Sequence, residues 1–339
     1  MNEPVADRTW GSPVSSIDRL MRTALRAGHA EGLVAIAANS RDILYSGAHG
    51  RRAMAESNRT MTDTVFRTCA LVKPVTGLAL LQLSDSGCLD LDDRIDGWLP
   101  QSEAIRKFRS AVMLASSRWG GLPSFRQLLM FFADSDSSIS DTAVACAKEA
   151  VARASGTSFE DYIRDNILSP LNMHETYFSL PASSHRRTGE TRSGPRVQVA
   201  NSMSPIAAES LKTRMEQTAL YSTGLDSLKL LQAILRQDVD LLPGQVYQEF
   251  VRSRPLAAGL HDAVTYFGRF NTYCWIDWSS DTAGLLYAQL IPHDHPSLDE
   301  LFSDYRDAVY ARSTKKSGRS RLVRVLEFLL IPDSEYVWP

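Results

Sequence analysis

Phe66-Arg67-Thr68-Cys69-Ala70-Leu71-Val72-Lys73-Pro74-Val75-Thr76 decides how the rest of this 339-residue chain is understood. Val75, Leu78, Leu81 and Gln82 carry a helical repeat onward from about Ala70, the spacing at which side chains share one helix face. Gly87 closes that helix as a C′ glycine. Lys73 therefore sits near the start of a long apolar helix.

Upstream, Ile17, Leu20, Met21, Ala24 and Leu25 share one face of a helix over 16–28. Leu33 to Ala38 and Ile43 to Ala48 are short β-type runs joined by Asn39-Ser40-Arg41-Asp42, which predicts a hairpin. Downstream, a helix is predicted over Ala143 to Ala154, stopped by Ser155-Gly156. Another spans Phe159 to Ile167, capped by Ser158 and with Glu160 and Asp161 in its first turn. Pro181 to Arg196 is rich in Ser, Arg, Gly and Pro and predicts an exposed loop, after which Thr223 to Leu235 is helical again. Thr272 to Trp278 and Ala283 to Ile291 form a late hairpin across Ser279-Ser280-Asp281, and a helix over Leu298 to Ala311 follows.

An early hairpin, a helical middle, a late hairpin and a closing helix predict an α+β fold. Strands from both ends of the chain build one antiparallel sheet, into which an all-helical lobe is inserted. The expected division is 1–65 with 236–312 as the sheet lobe, 66–235 as the helical lobe, and 313–339 as a basic C-terminal extension. A pocket is expected at the seam between lobes.

Lys plus Arg number 37 and Asp plus Glu 39, a net charge of −2. Nucleic acid is thereby excluded as the main partner, because phosphate binding needs an excess of positive charge. The N-terminal residues show no basic and apolar signal pattern, and the longest apolar run, Leu128 to Ala133, is far too short to span a bilayer. A soluble cytoplasmic protein is the expectation. Cys69, Cys88, Cys146 and Cys274 are scattered and form no C-x-x-C pair, so neither a metal site nor a disulfide framework is expected. His293 and His295 have no acidic or thiol partners at ligand spacing, and His174 is expected at the surface.

Residues 66–76 resemble the S-x-x-K segment of the serine β-lactamase and penicillin-binding protein superfamily. The similarity is to its class C-like branch, with family VIII esterases and fungal lovastatin-type acyltransferases. Four further stretches agree in order. Gly87 to Asp93 resembles a G-x-L-x-L-D-D turn, and Phe159 to Phe178 a helix followed by P-L-x-M-x-x-T. Ala219 to Thr223 resembles G-G-L-x-S-T, and Thr272 to Asp277 the strand after the third catalytic motif. Together they cover about residues 15–312, with intervening segments shorter than is usual. The resemblance implies the β-lactamase/transpeptidase-like fold and an acyl-enzyme mechanism that uses no cofactor.

In that superfamily a serine attacks a carbonyl, a lysine three residues on takes its proton, and the tyrosine of Y-x-N assists. The serine position here is Ala70, whose methyl group cannot form an acyl-enzyme. The Y-x-N position falls on Ile139-Ser140-Asp141, without the tyrosine, and the third motif falls on Tyr266-Phe267-Gly268. Lys73 and the backbone N–H of residue 70 remain, the latter supplying half of the family's oxyanion hole whatever the side chain. Desolvation and the helix N-terminus would favour the neutral amine of Lys73 and suit it to moving a proton. Isomerisation, elimination or cyclisation would then replace hydrolysis.

The candidate catalytic residues are therefore Lys73, Asp141 and Tyr266. Ala70, Cys69, Ser140, Gly268 and Arg269 are the candidate substrate-binding ones. The alternative for Lys73 is a relic held in a buried ion pair with Asp141. Cys69 lies one residue before the nucleophile seat, and a helix turns about 100° per residue, which aims its thiol away from the lysine face. Tyr266 either replaces the lost phenol or is a packed sheet-edge aromatic.

The expected partner is a small hydrophobic carbonyl compound, and the resemblance implies a setting in secondary-metabolite biosynthesis. Two alternatives stand beside this enzyme: a non-catalytic ligand-binding protein on the same fold, and an esterase or acyltransferase inactivated by Ser-to-Ala replacement at 70. Arg312, Lys315, Lys316, Arg319, Arg321 and Arg324 make a basic run without acids, followed by the apolar Val325 to Ile331. That tail is expected to be a loosely docked extension, with a membrane or partner contact as the alternative.

Overall fold

A computed structural model describes residues 16–51, 59–99, 106, 122–130, 132, 137–180, 192–193, 220–238, 241, 263–268, 271–288, 290–291 and 296–317. For 130, 137–141, 192–193, 290–291 and 313–317 it describes the backbone alone.

Helix α1 (Ser16–Arg26) leads into strands β1 (Gly32–Ala38) and β2 (Ile43–Gly50), the expected hairpin. Strand β3 (Val65–Arg67) feeds directly into α2 (Cys69–Asp85), the central helix. Thirteen of its seventeen residues are buried, as suits a helix that is apolar all round. Gly87 follows at φ +72, the left-handed turn that glycine makes without strain. Then come α3 (Ile95–Trp98), α4 (Phe125–Met130), α5 (Ser137–Ser155) and α6 (Phe159–Ile163), which runs on into a π-turn over Arg164–Leu168. The Ser158 hydroxyl caps α6 by accepting from the Asp161 N–H. Strands β4 (Arg192–Ser193) and β5 (Tyr221–Thr223) precede α7 (Gly224–Arg236), whose cap is Thr223. Strands β6 (Ala263–Gly268), β7 (Thr272–Asp277), β8 (Thr282–Tyr287) and β9 (Leu290–Ile291) lead to the last helix, α8 (Pro296–Ser317).

The main sheet has the order β2-β1-β8-β7-β6, antiparallel throughout. Its seam is the β1–β8 pairing, Val34 opposite Tyr287 through Ala38 opposite Ala283, which joins the two ends of the chain as expected. β1 past its first residue, β7 and β8 are buried on both faces. On the inner face Val34, Ile36, Cys274, Ile276, Leu285 and Tyr287 pack with α2 and α7. On the outer face Leu33, Ala35, Tyr273, Trp275 and Leu286 pack with α1 and α8. Smaller pairings join β3 to β5 and β4 to β9.

Several sequence expectations need correction. Strand β6 has no counterpart among the predicted element ranges, although the sheet-edge alternative for Tyr266 agrees with its place on this edge strand. The predicted strand 283–291 is interrupted after Tyr287, and Leu290–Ile291 pairs in parallel with Arg192–Ser193, inside the stretch expected to be loop. The helix predicted from Ala143 begins at Ser137, so Ile139-Ser140-Asp141 is helical. The closing helix runs to Ser317 and takes in Arg312, Lys315 and Lys316, the first part of the expected tail. Positive side chains near a helix C-terminus complement its dipole. His293, His295 and 318–339 lie outside the described residues.

Candidate functional site

The first turn of α2 is held by its neighbours on both sides. Thr68, the N-cap, is fully buried; its N–H donates to the Leu220 carbonyl at 2.6 Å and its hydroxyl to the same oxygen at 3.0 Å. That ties the start of α2 to the approach to β5. It also commits the side chain that ordinarily caps a first-turn amide, and Thr68 makes no such cap. The Leu71 N–H bonds back to the Thr68 carbonyl. Pro74, inside the helix, brings no N–H to the Ala70 carbonyl.

On the other side stands β6. A Cβ on Gly268 would lie 2.4 Å from the Ala70 amide nitrogen, 3.1 Å from the Cys69 carbonyl carbon and 2.3 Å from Thr272 Oγ1. Only a residue without a Cβ lets the strand come this close to the helix start. Strand register then lines up the facing side chains, with Gly268 opposite Thr272 and Tyr266 opposite Cys274.

Ala70 is wholly buried, while Cys69, Lys73 and Tyr266 keep 6, 5 and 8% of their surface. Lys73 lies near enough to Cys274 for its charge to act on the thiol. Burial pushes that thiol up to about 12, and the lysine charge only partly opposes it. The group beside Lys73 on β7 is therefore a neutral thiol. Deeper in, Tyr287 packs its ring on Phe66, with centroids 5.6 Å apart. Burial raises its phenol far above the usual tyrosine range; Cys274 adds to the rise and the Ser227 hydroxyl opposes it.

Five of the eight sequence-predicted site residues, Cys69, Ala70, Lys73, Tyr266 and Gly268, thus meet where α2 abuts β6 and β7. Ser140 and Asp141 lie on the first turns of α5, their side chains outside the described residues, as is all of Arg269. Thr272, Cys274 and Tyr287 belong to the same surroundings and were assigned no role from the sequence. The period-two alternation of 272–277 marks Thr272 and Cys274 as sharing a face, and only the register with β6 shows which face that is. His174 is exposed, as expected.

A second polar cluster explains two of the matched stretches structurally. The Thr176 and Ser222 hydroxyls are 2.8 Å apart, and Ser227 donates to the Thr223 carbonyl. The buried Asp226 carboxylate accepts from the Glu175 N–H at 2.7 Å and from Lys229 at 2.6 Å. This network pins the loop after α6 to β5 and α7, with its buried polar groups paired. Among the described residues no three His, Cys, Asp or Glu side chains gather as metal ligands, and no helix is long and apolar enough to cross a membrane.

The same architecture recurs in known proteins. Simvastatin synthase from Aspergillus terreus superposes with a TM-score of 0.68 over 89% of this chain and 99% of its own, at 17% identity. EstCE1, a hydrolase with promiscuous acyltransferase activity, superposes at 0.62 over 87% of this chain and 97% of its own, at 14% identity. In sequence, the chain is 28% identical to penicillin-binding protein 4* of Bacillus subtilis over 173 residues, 42% of this chain and 36% of that protein. It is 40% identical to esterase EstB of Burkholderia gladioli over 91 residues, 26% of this chain and 23% of that protein. The matches thus span about a third and about a quarter of these two curated relatives. The sequence model of the Beta-lactamase family matches residues 17–299, which takes in both strands of the first hairpin, α2 and the late strands. The chain belongs to the β-lactamase family.

Proposed function

We propose that this protein binds a small apolar carbonyl compound at the start of α2 and moves a proton on it with Lys73, without an acyl-enzyme. One observation carries this reading. Lys73, 5% exposed, lies one helical turn past Ala70, the position to which the resemblance assigns the nucleophile. Desolvating an amine costs free energy, and a fold that needed only packing there would be served by methionine or leucine. The esterase and acyltransferase relatives act through carbonyl chemistry by name, which supports the substrate class.

The step follows from these groups. Once deprotonated, the Lys73 amine takes a proton from the carbon next to the carbonyl. The C–H electron pair becomes the C=C bond of an enolate, and the carbonyl π pair moves onto oxygen, beside the Ala70 N–H at the positive end of the helix dipole. With a β,γ-unsaturated carbonyl compound the ammonium then returns its proton to the γ carbon and the double bond moves into conjugation, giving isomerisation, or the enolate expels a β-substituent with its bonding pair, giving elimination. A role in secondary-metabolite biosynthesis fits such a step. Asp141 and Tyr266 are proposed to orient Lys73, and Ser140 and Arg269 to line the pocket between the sheet and the helices of 66–235.

Acetophenone in D2O is a direct probe, since abstraction and return of a methyl proton replaces H by D and is followed by NMR. The full chain should exchange the methyl protons faster than buffer. Lys73→Ala should lower that rate by about 10²–10⁴-fold, the usual contribution of a positioned base. Exchange that survives Lys73→Ala removes the lysine from the mechanism. A second reading, ligand binding without turnover, is favoured by the methyl side chain at position 70, which cannot form an acyl-enzyme; it expects saturable binding with no exchange above buffer.

A further inference from the structure

The solvent side of α1 is a stripe of arginines. Ile17, Met21 and Ala24 are buried against the sheet, while Arg19, Arg22 and Arg26 are exposed. At about 100° per residue these three fall within about 60° of one another, opposite the buried side. The one acid of α1, Asp18, is turned toward β2, where it accepts from the Tyr45 hydroxyl. Arg312 adds a fourth exposed cation from α8. Burial and Asp18 raise the Tyr45 phenol, and the charges of Arg312 and Arg22 both oppose that rise, which puts the end of α8 beside α1. Among the described residues none of these four arginines pairs with a carboxylate.

Charge is segregated along α8 as well. Its acids, Asp299, Glu300, Asp304 and Asp307, all precede Ala308. From Ala308 to Leu326 the chain has no acid and six basic residues, Arg312, Lys315, Lys316, Arg319, Arg321 and Arg324. Val325 to Ile331 follows and is apolar apart from Glu327. A chain of net charge −2 thus concentrates positive charge on one part of its outer layer, and the same basic run leads into apolar sequence.

We infer that the arginine face of α1, with the basic run from Arg312 to Arg324, docks on an anionic lipid surface. Cations without carboxylate partners are matched by charged headgroups, and the apolar residues from Val325 onward by the acyl boundary just beneath them. A nucleic acid would satisfy the arginines and leave those apolar residues in water. The inference is independent of the carbonyl chemistry proposed at α2, which packs on the other face of the sheet.

The test floats the full chain with vesicles of phosphatidylcholine alone, or of phosphatidylcholine with about 30% phosphatidylserine as the anionic lipid. The chain should float with the anionic vesicles and not with the neutral ones. Binding should fall as salt rises from about 0.1 M to about 1 M, where the screening length shrinks from about 10 Å to about 3 Å. Arg19→Gln, Arg22→Gln and Arg26→Gln together should lower the partition constant on the order of a hundredfold, about fivefold per charge. Arg319→Gln, Arg321→Gln and Arg324→Gln together should cause a loss of similar size. Arg19→Lys, Arg22→Lys and Arg26→Lys together should keep most of the binding, because a lipid surface responds to charge more than to the planar guanidinium. The variants in α1 should melt as the parent does, since these side chains are exposed.

The inference is overturned if the chain floats with neither vesicle or equally with both, or if either glutamine triple binds as the parent does. It is also overturned if the lysine triple loses as much as its glutamine counterpart, or if a DNA duplex is bound at the same salt while the vesicles are not.

Discussion

Two glycines in the central sheet, Gly268 and Gly284, each make room for something a Cβ would hit, but on opposite faces and for different neighbours. At Gly284 the neighbour is the indole of Trp275, with ring carbons 2.2 to 2.8 Å from where the Cβ would stand. At Gly268 it is the backbone of α2 and a threonine hydroxyl. The outer glycine serves packing. Trp275 lies edge-on to Phe302 at 5.7 Å and to Tyr305 at 5.5 Å, and Tyr273 stacks on Phe302 at 4.9 Å. The inner glycine serves approach, bringing a strand against a helix N-terminus whose amide is uncapped. One sheet thus fills one face with aromatic volume and uses smallness on the other, and the proposed site lies on the small side.

The aromatic face should hold most of the stability. Trp275→Ala empties a fully buried site and is expected to cost about 3–5 kcal/mol in urea or thermal unfolding, the range for removing a large buried aromatic. Its indole N–H has no partner, which places the loss toward the lower end. A loss near zero would mean that α8 is not held by this stack, and the comparison between the two faces would fail.

The next largest effect separates the glycines. Gly268→Ala and Gly284→Ala should each cost about 1–3 kcal/mol, as overpacking does. They differ in rescue. The atoms in the way of Gly284→Ala belong to the far edge of one side chain, so Trp275→Phe combined with it should recover part of the loss, a clear departure from additivity. The nearest α2 atoms in the way of Gly268→Ala are backbone, and no side-chain trimming in α2 relieves them. Gly284→Ala should leave acetophenone binding unchanged, whereas Gly268→Ala should abolish it.

How much of this was legible in the sequence depended on range. The β1–β2 hairpin, α2 with Gly87 behind it, and the Ser158 and Thr223 helix starts are set by neighbours within a few residues, and the local pattern found them. β6 escaped because its six residues end at a glycine only four positions before Thr272, leaving no room for the turn cluster that usually marks a strand end. The β4–β9 pair is two residues long on each side and joins positions almost a hundred apart, beyond any local signal. Lys315 and Lys316 suggested a solvated tail, although the same charges suit the last turn of a helix. The motif order singled out Ala70, Lys73 and Gly268, which lie on α2 and on the strand packed against its start. The placement of Thr272 opposite Gly268 needed the β6–β7 register, which residue types alone do not encode.

The smallest expected effect lies on the outer face, at a cluster of paired polar groups between α1 and β2. The Tyr45 hydroxyl donates to Asp18 at 2.9 Å and lies 3.0 Å from His49 Nε2, and His49 is 3.5 Å from the same carboxylate. Burial is the main influence holding His49 below its ordinary value of 6.5; Arg22 on α1 acts in the same direction and Asp18 against it. The unfolded chain, titrating near that ordinary value, therefore takes up a proton before the folded one does. As pH falls below about 6.5 the unfolded state is favoured, and the stability present above that pH is progressively lost down to the folded titration point. His49→Gln keeps an N–H donor for Tyr45 but does not titrate, so its unfolding free energy should fall less between pH 7.5 and 5.5 than that of the parent. The difference should be about 1 kcal/mol or less. Paired curves that run parallel, or a parent that gains stability on acidification, would show that this cluster is not desolvated as the packing of α1 on β2 requires, and the contrast between the two faces would lose its electrostatic half.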